Sequence, residues 1–474
     1  MDEEGRASEQ LIRVPIHDSL ADVEDEEPRK KSAATRQVLA TLLSCLAPLM
    51  IGFALGYSSP TIPLLEDEGK LTNDQSAWYG SIVTVGAAAG APLAAVGVGK
   101  LGRKLTIMLS CLPFSVGWLL ITSADSYIQL YAGRALTGIG VGMASVATPL
   151  YIAEIATSDM RGTLGACFQL AVTVGVLIAF SGGSVLEWRW LSNIGAIFSA
   201  LLVVLMLHLP ETPTWLTEKH PDKTKAFEAL RWLRSGSDAD VARECHEIHQ
   251  CHVNQAEGGV SLRELCTNRC LYRPVLISIG LMVFQQMSGV NAVMFYTKSI
   301  FKTAGFANSG NLPSIIVAVV QVVATFVASL LLGKIGRRIL LVFAGLLMAV
   351  SLGTLGLYYY LTEHGNATNL GWLSLTSMAV YIAAFSIGWG PVPWILMSEI
   401  LPVRVKGVGS GLSVVVNWCI AFVVTKEFSE MEYFLNTYGA FWLFGSACLV
   451  GVLFVLFIVP ETKGRSLQQI EMSF

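Results

Sequence analysis

Charge is what this chain has least of. Only 14% of its 474 residues are Asp, Glu, Lys or Arg, 53% are hydrophobic, and the mean hydropathy is +0.56. A water-soluble globule carries roughly 25% charged residues, so that class is excluded. The amino terminus, MDEEGRASEQLIRVPIHDSLADVEDEEPRKK, lacks the basic-then-apolar order of a cleaved signal peptide and reads as a retained, largely disordered acidic tail. None of the nine cysteines falls on a connection assigned below to the outer face. Free thiols are expected and structural disulfides are not. The apolar segments also lack a nucleophile with a paired base, a phosphate-cradling glycine loop and a metal motif. No enzyme, no cofactor and no nucleic-acid partner is therefore expected.

What the chain does have is apolar runs of about 20 residues, the length that crosses about 30 Å of hydrocarbon as a helix. Twelve are read, at 38–58, 77–98, 105–124, 128–153, 163–186, 190–209, 275–301, 313–333, 339–360, 370–397, 407–426 and 437–459. Most Lys and Arg fall in the tails or on connections of one side, including Lys100, Arg103, Lys104, Arg161, the block from Lys219 to Arg273, Lys334, Arg337, Arg338, Arg404 and Lys406. Positive charge stays inside, so both termini are expected in the cytosol. The opposite side carries Asn366-Ala367-Thr368, an N-glycosylation sequon at Asn366.

The chain is duplicated. GVGKLGRKL after the second run matches GKIGRRIL after the eighth, PLYIAEIATSDMRG matches PVPWILMSEILPVRVKG, and PETPTW matches PETKGR. Three pairs in the same order give two parallel six-span halves, the architecture that binds its cargo between halves near the bilayer midplane. The expected layout is a tail at 1–37, a first half at 38–209, a helical cytosolic linker at 210–273, a second half at 274–459 and a tail at 460–474. The repeated charges suggest a latch on the cytosolic side: Arg103, Glu154, Arg161 and Glu211 for the first half, and Arg337, Glu399, Arg404 and Glu461 for the second. Topology signals explain the Arg and Lys alone, but explain Glu154 and Glu399 poorly.

FQQMSGVNAVMFY places Gln285, Gln286, Ser288 and Asn291 in the seventh run. On a straight helix Gln286 and Asn291 lie well off the face of Gln285, so the amides converge only if the helix breaks, for which Ser288-Gly289 is the place. GWGPVPW, residues 388–394, repeats the theme in the tenth run, where Pro391 and Pro393 forbid a continuous helix. Gln169, Gln321, Asn417 and Trp418 add polar and aromatic groups. Amides donate to and accept from hydroxyls, and indole packs on the C–H face of a sugar ring. An anionic cargo would require a buried cation and a cationic one a carboxylate. Arg134, at the outer end of the fourth run, is read as interfacial or paired. In the linker, CHEIHQCH sets Cys245, His249 and His252 on one helix face with Cys266 and Cys270 downstream; the spacing matches no established zinc pattern, and a plain linker helix is preferred.

These motifs, GRK and GRR, PLYIAEI with Arg161-Gly162, PETP, QQMSGVNAV, GPVPW, Asn417-Trp418 and PETKG, resemble the facilitative hexose (glucose) transporters of the major facilitator superfamily, from about Val38 to Glu461. FALGYSSPTIP, VLEWRW, VTKEF and YGAFWL look most like the class III members of types eight and six. The resemblance implies an all-α membrane protein of the major facilitator fold, with twelve transmembrane helices in two six-helix halves. It also implies that Gln169, Gln285, Gln286, Asn291, Gln321 and Trp394 contact sugar, that Tyr296 is the outer gate, and that Phe385 and Trp418 are cavity aromatics. Several positions depart from the family pattern. Met282, Val283 and Phe284 replace a Gln-Leu-Ser triplet of glucose-selective members; Ser386 replaces a Glu; Gly99 and Gly333 replace loop acids; and Thr214 replaces an Arg. Ser58 stands where proton-coupled relatives carry an Asp after Gly56-Tyr57, which favours uniport. Facilitative movement of a hexose, glucose or fructose among others, by a monomeric unit is expected, with a proton-coupled sugar or polyol symporter or a non-transporting sugar sensor as alternatives. The site would be the plasma membrane or an endosomal or lysosomal one, with trafficking adaptors as candidate partners of the tail around Leu11-Ile12.

Overall fold

A computed structural model of the chain describes residues 22–157, 159–219, 223–235, 237–255, 267–301, 312–332, 334–365, 370–402 and 405–463. Asn366, Arg404, Gly333, Cys266 and the Leu11-Ile12 segment lie outside the described residues, as do the side chains of Tyr296, Cys251 and His252. Among the described residues, twelve helices are long and apolar enough to cross a membrane. In chain order, spans one to six are Ala33–Asp67, Asp74–Lys100, Arg103–Thr122, Tyr127–Ile155, Arg161–Gly182 and Trp188–Leu207. Spans seven to twelve are Arg269–Phe295, Leu312–Leu331, Arg337–Glu363, Gly371–Ile400, Lys406–Lys426 and Glu430–Phe457. The protein is a multi-pass, all-helical membrane protein.

Among the element ends that differ from the sequence reading, three have a local reason. The amino-terminal tail, expected to be disordered as far as residue 37, is helical from Asp22. It runs unbroken to Ser44. Its end is also tied down: Arg36 donates to the Trp232 carbonyl at 3.0 Å, and the Gln37 side chain accepts from the Thr157 N–H at 3.0 Å. Span one passes the expected end at residue 58 and continues to Asp67: Pro60 falls in the first turn of the segment Ser58–Asp67, where a missing N–H costs no bond, although Pro63 lies inside that helix. Span seven starts at Arg269 rather than 275, since the Asn268 side chain accepts from the Cys270 N–H at 3.1 Å and caps the helix before its apolar run begins.

Helices come close where glycine allows it. A methyl group at Gly52 would lie 1.8 Å from the Val172 carbonyl oxygen, and one at Gly175 would lie 2.0 Å from that of Leu49, so spans one and five touch backbone to backbone. The two halves meet along spans two and eleven on one side and spans five and eight on the other, which leaves a gap on the central axis. The linker forms helices Pro213–Lys219, Thr224–Arg234 and Asp238–Gln255. They pack through Leu216, Ala226, Leu230, Val241 and Cys245. Arg234 holds Glu244 at 2.8 Å and donates to the Ile155 carbonyl at 2.8 Å, which fastens the linker beneath span four.

Candidate functional site

Two helix breaks build the centre of the molecule. Span seven is helical over Arg269–Met287, leaves the helix at Gly289 with φ +82°, and resumes over Val290–Phe301. That left-handed conformation suits glycine and turns Asn291 back toward Gln286. Span ten is helical over Gly371–Ile387 and again over Val392–Ile400, and the Gly-Trp-Gly-Pro stretch between them is not α-helical. Non-helical backbone at this depth is tolerated where it borders a cavity inside the protein.

That cavity lies between the halves and takes in about 610 Å³ of atom-free space, open solvent included. Gln169, Gln285, Gln286, Asn291, Gln321, Asn417, Trp394, Phe385 and Trp418 all line it. Phe168 and Ser145, which the sequence reading passed over, line it too. No charged residue is among the lining residues described. Four amides of the second half are bonded in series. Asn291 donates to Gln286 at 2.7 Å, Gln286 to Asn417 at 3.1 Å, Asn417 to Gln285 at 2.9 Å, and Gln285 to the Trp389 carbonyl at 2.7 Å. Gln321 Oε1 and Trp418 Nε1 are buried with no hydrogen-bond partner among the described residues. Across the cavity, Phe168 of span five meets Trp394 of span ten with ring centroids 5.5 Å apart.

Arg134 is neither interfacial nor paired with an acid. It is fully buried, donates to the Ala54 carbonyl at 2.7 Å and to the Ser58 hydroxyl, and lies over the rings of Tyr57 and Tyr79. No carboxylate forms an ion pair with it among the described residues.

One end of the bundle is rich in charge, and the repeat is visible there atom by atom. Arg103 pairs with Glu154 at 2.8 Å in the first half, and Arg337 with Glu399 at 3.1 Å in the second. Glu211 accepts from the backbone N–H groups of Arg103 and Lys104 at 3.1 and 3.0 Å, and Glu461 from those of Arg337 and Arg338 at 3.1 Å each, capping the starts of spans three and nine. Glu211 lies beyond span six, and burial pushes its carboxyl above the usual glutamate range against the pull of those N–H groups.

Arg161 departs from the expected grouping. It feels Glu399 of the other half as well as Glu154 of its own, so it stands at the seam between halves. Lys406 faces it from the second half, close to Glu154, Arg161, Arg103 and Glu399. The sequence held a signal for this: Glu154 and Arg161, like Glu399 and Lys406, are seven apart and followed by glycine, so Lys406 rather than Arg404 is the repeat partner of Arg161. Cys245 is turned into the linker core, and burial raises its thiol, which leaves it a packing residue. Cys45, Cys111, Cys167, Cys245, Cys270, Cys419 and Cys448 are free thiols.

Two pseudo-equivalent six-helix halves around a neutral, amide-lined cavity define a membrane transporter of the major facilitator fold, not an enzyme. A family model described as "Sugar (and other) transporter" matches residues 40–474, and the chain belongs to that family. It is 43% identical over 470 residues to mouse "Solute carrier family 2, facilitated glucose transporter member 8", covering 94% of this chain and 96% of that one. It is 39% identical to the "Facilitated trehalose transporter Tret1" of Culex quinquefasciatus, covering 97% and 90%. Among solved structures, the proton:xylose symporter XylE bound to 6-bromo-6-deoxy-D-glucose superposes with a TM-score of 0.83 at 25% identity, covering 93% of this chain and 99% of that one. An inward-open XylE from E. coli superposes less well, at 0.71 and 25% identity, covering 92% and 99%.

Proposed function

We propose that the protein is a facilitative uniporter that carries a hexose by alternating access of the central cavity. The observation that carries this reading is the cavity itself: six amides, two indoles and no charge, the complement of an uncharged polyhydroxyl ring. Gln321 Oε1 and Trp418 Nε1 supply an acceptor and a donor that no described residue uses, and a sugar hydroxyl satisfies both. Gln169 faces these groups from the first half, so closure of the halves around the guest brings the two walls together. The charge-rich end is the cytosolic one by the distribution of Lys and Arg, and the charges that face across its seam, Arg161 with Glu399 and Lys406 with Glu154, hold that side shut. The weaker likeness to an inward-open neighbour supports the same orientation. In this reading residues 38–209 and 274–459 are the moving halves and 210–273 the cytosolic brace.

A second reading, proton-coupled symport, is favoured by the likeness to a proton:xylose symporter. Against it stands Ser58, which presents a hydroxyl and not a carboxylate to Arg134 and leaves no proton carrier at that place. Counterflow of labelled hexoses, trehalose and other disaccharides into liposomes holding the purified protein, with and without an imposed pH gradient, separates the readings. Uniport predicts exchange of a hexose to equal concentrations whatever the gradient. Accumulation driven by the gradient would reject it, and uptake of disaccharides alone would reject the hexose.

A further inference from the structure

The two broken helices cap one another. Pro393 has no N–H, so the carbonyl of Trp389, four residues earlier, has no helical donor. Gln285 of span seven takes that place, donating to the carbonyls of Trp389 at 2.7 Å and Gly390 at 3.1 Å. The converse holds at span seven. Gly289, at φ +82°, carries the chain out of the helix, and the Ser288 carbonyl before it accepts the hydroxyl of Tyr381 from span ten at 2.8 Å. Tyr381 is fully buried and does not line the cavity. Its hydroxyl therefore acts on the backbone of span seven and not on a guest.

We propose that Tyr381 is a positioning residue of the transport cycle: with Gln285 it locks the breaks of spans seven and ten in a common register, so the segment carrying Asn291 and the segment carrying Trp394 are set by each other. The functional half of this inference rests on the transport reading above; the structural half does not. A freed carbonyl buried away from water requires a donor, and here each donor is supplied by the opposite broken helix. A shift at one break then disturbs the other, and with it the 2.7 Å bond from Asn291 to Gln286 that spans the turn.

Tyr381→Phe keeps the ring and removes one hydroxyl. In full-length protein in liposomes it is expected to raise the KM for hexose counterflow about fivefold, the size of one lost buried hydrogen bond, with kcat within about twofold. Amide hydrogen exchange is expected to quicken at both breaks, around Ser288 and around Trp389, and not elsewhere. Tyr131→Phe removes a hydroxyl that donates to the Gln75 carbonyl at 2.9 Å, far from either break, and should change neither. Unchanged exchange at span ten, or a general loss of stability with KM unaltered, overturns the proposal. Pro393→Ala is the second arm, decisive if Tyr381→Phe does not fold. It returns an N–H to the Trp389 carbonyl, releases Gln285, and must quicken exchange in span seven; slow exchange there also overturns the proposal. If the parent moves no sugar of the panel, the transport reading fails while the exchange data still decide the mutual capping of spans seven and ten.

Discussion

Gln286 stands between two other amides, accepting from Asn291 and donating to Asn417, and its value at the site comes from being used on both sides. Gln286→Leu keeps the volume but strands a donor on Asn291 and an acceptor on Asn417 inside a buried network. Each stranded group costs about 1–3 kcal/mol. Counterflow assays should show the KM for hexose rising at least about tenfold while the protein still folds and inserts; an unchanged KM would remove this chain of amides from the binding role proposed for it. Sequence could name these residues because amides are out of place in lipid. It could not say that Gln285 bonds to backbone carbonyls of span ten, since that partner lies more than a hundred residues away.

Gly289 does for span seven what no other residue does as easily. Its φ of +82° is strained for any side chain, and a methyl group there would lie 2.5 Å from the Phe444 ring. Gly289→Ala is therefore expected to cost about 1–3 kcal/mol, seen as a lower thermal midpoint in detergent, with loss of hexose binding in whatever protein survives. At the other end of the helices, Glu211 caps the start of span three from a buried position that raises its carboxyl. A raised folded value means that the contribution is full below the ordinary glutamate value of 4.5 and is lost as pH rises through the raised one. Relative to Glu211→Gln, the parent should thus gain thermal stability as pH is lowered from neutral toward the ordinary range. A pH-independent difference between the two proteins would show that burial is not what governs this carboxyl. The break at Ser288-Gly289 and the prolines of span ten were plain in the sequence because they violate helix chemistry locally. The helical tail and the early start of span seven were not, because a long-range contact and a single Asn cap fixed them.

At the charge-rich end of the whole molecule each half presents charges to the other, Arg161 near Glu399 and Lys406 near Glu154, and in the proposed reading these hold that end closed. Reversing one charge, as in Arg161→Glu, puts two carboxylates at the seam and should shift the population toward the state open at that end. Labelling of a cysteine introduced in the cavity by a reagent added from that side should accelerate. Reversing the second as well, with Glu399→Arg, should restore part of the closed population. If the double variant labels as fast as the single one, the pair does not act across the seam. The cavity exists only at this scale, because its lining comes from seven spans in both halves.

The sequence by itself determined the number of spans, the duplication, the two breaks and the neutrality of the cavity. Each follows from a local rule: apolar length, repeat spacing, the backbone limits of glycine and proline, and the scarcity of charge. It also placed Arg103 with Glu154 in one charged group and Arg337 with Glu399 in another, because the repeat wrote the group twice. Tertiary structure alone decided which amides bond to one another, that Arg134 is answered by a hydroxyl and a carbonyl, that Arg161 faces the opposite half, and that Cys245 packs inward. Those partners lie on different helices, and nothing in the local chain records the rotation and depth at which two helices meet. Close packing across the bundle sets both.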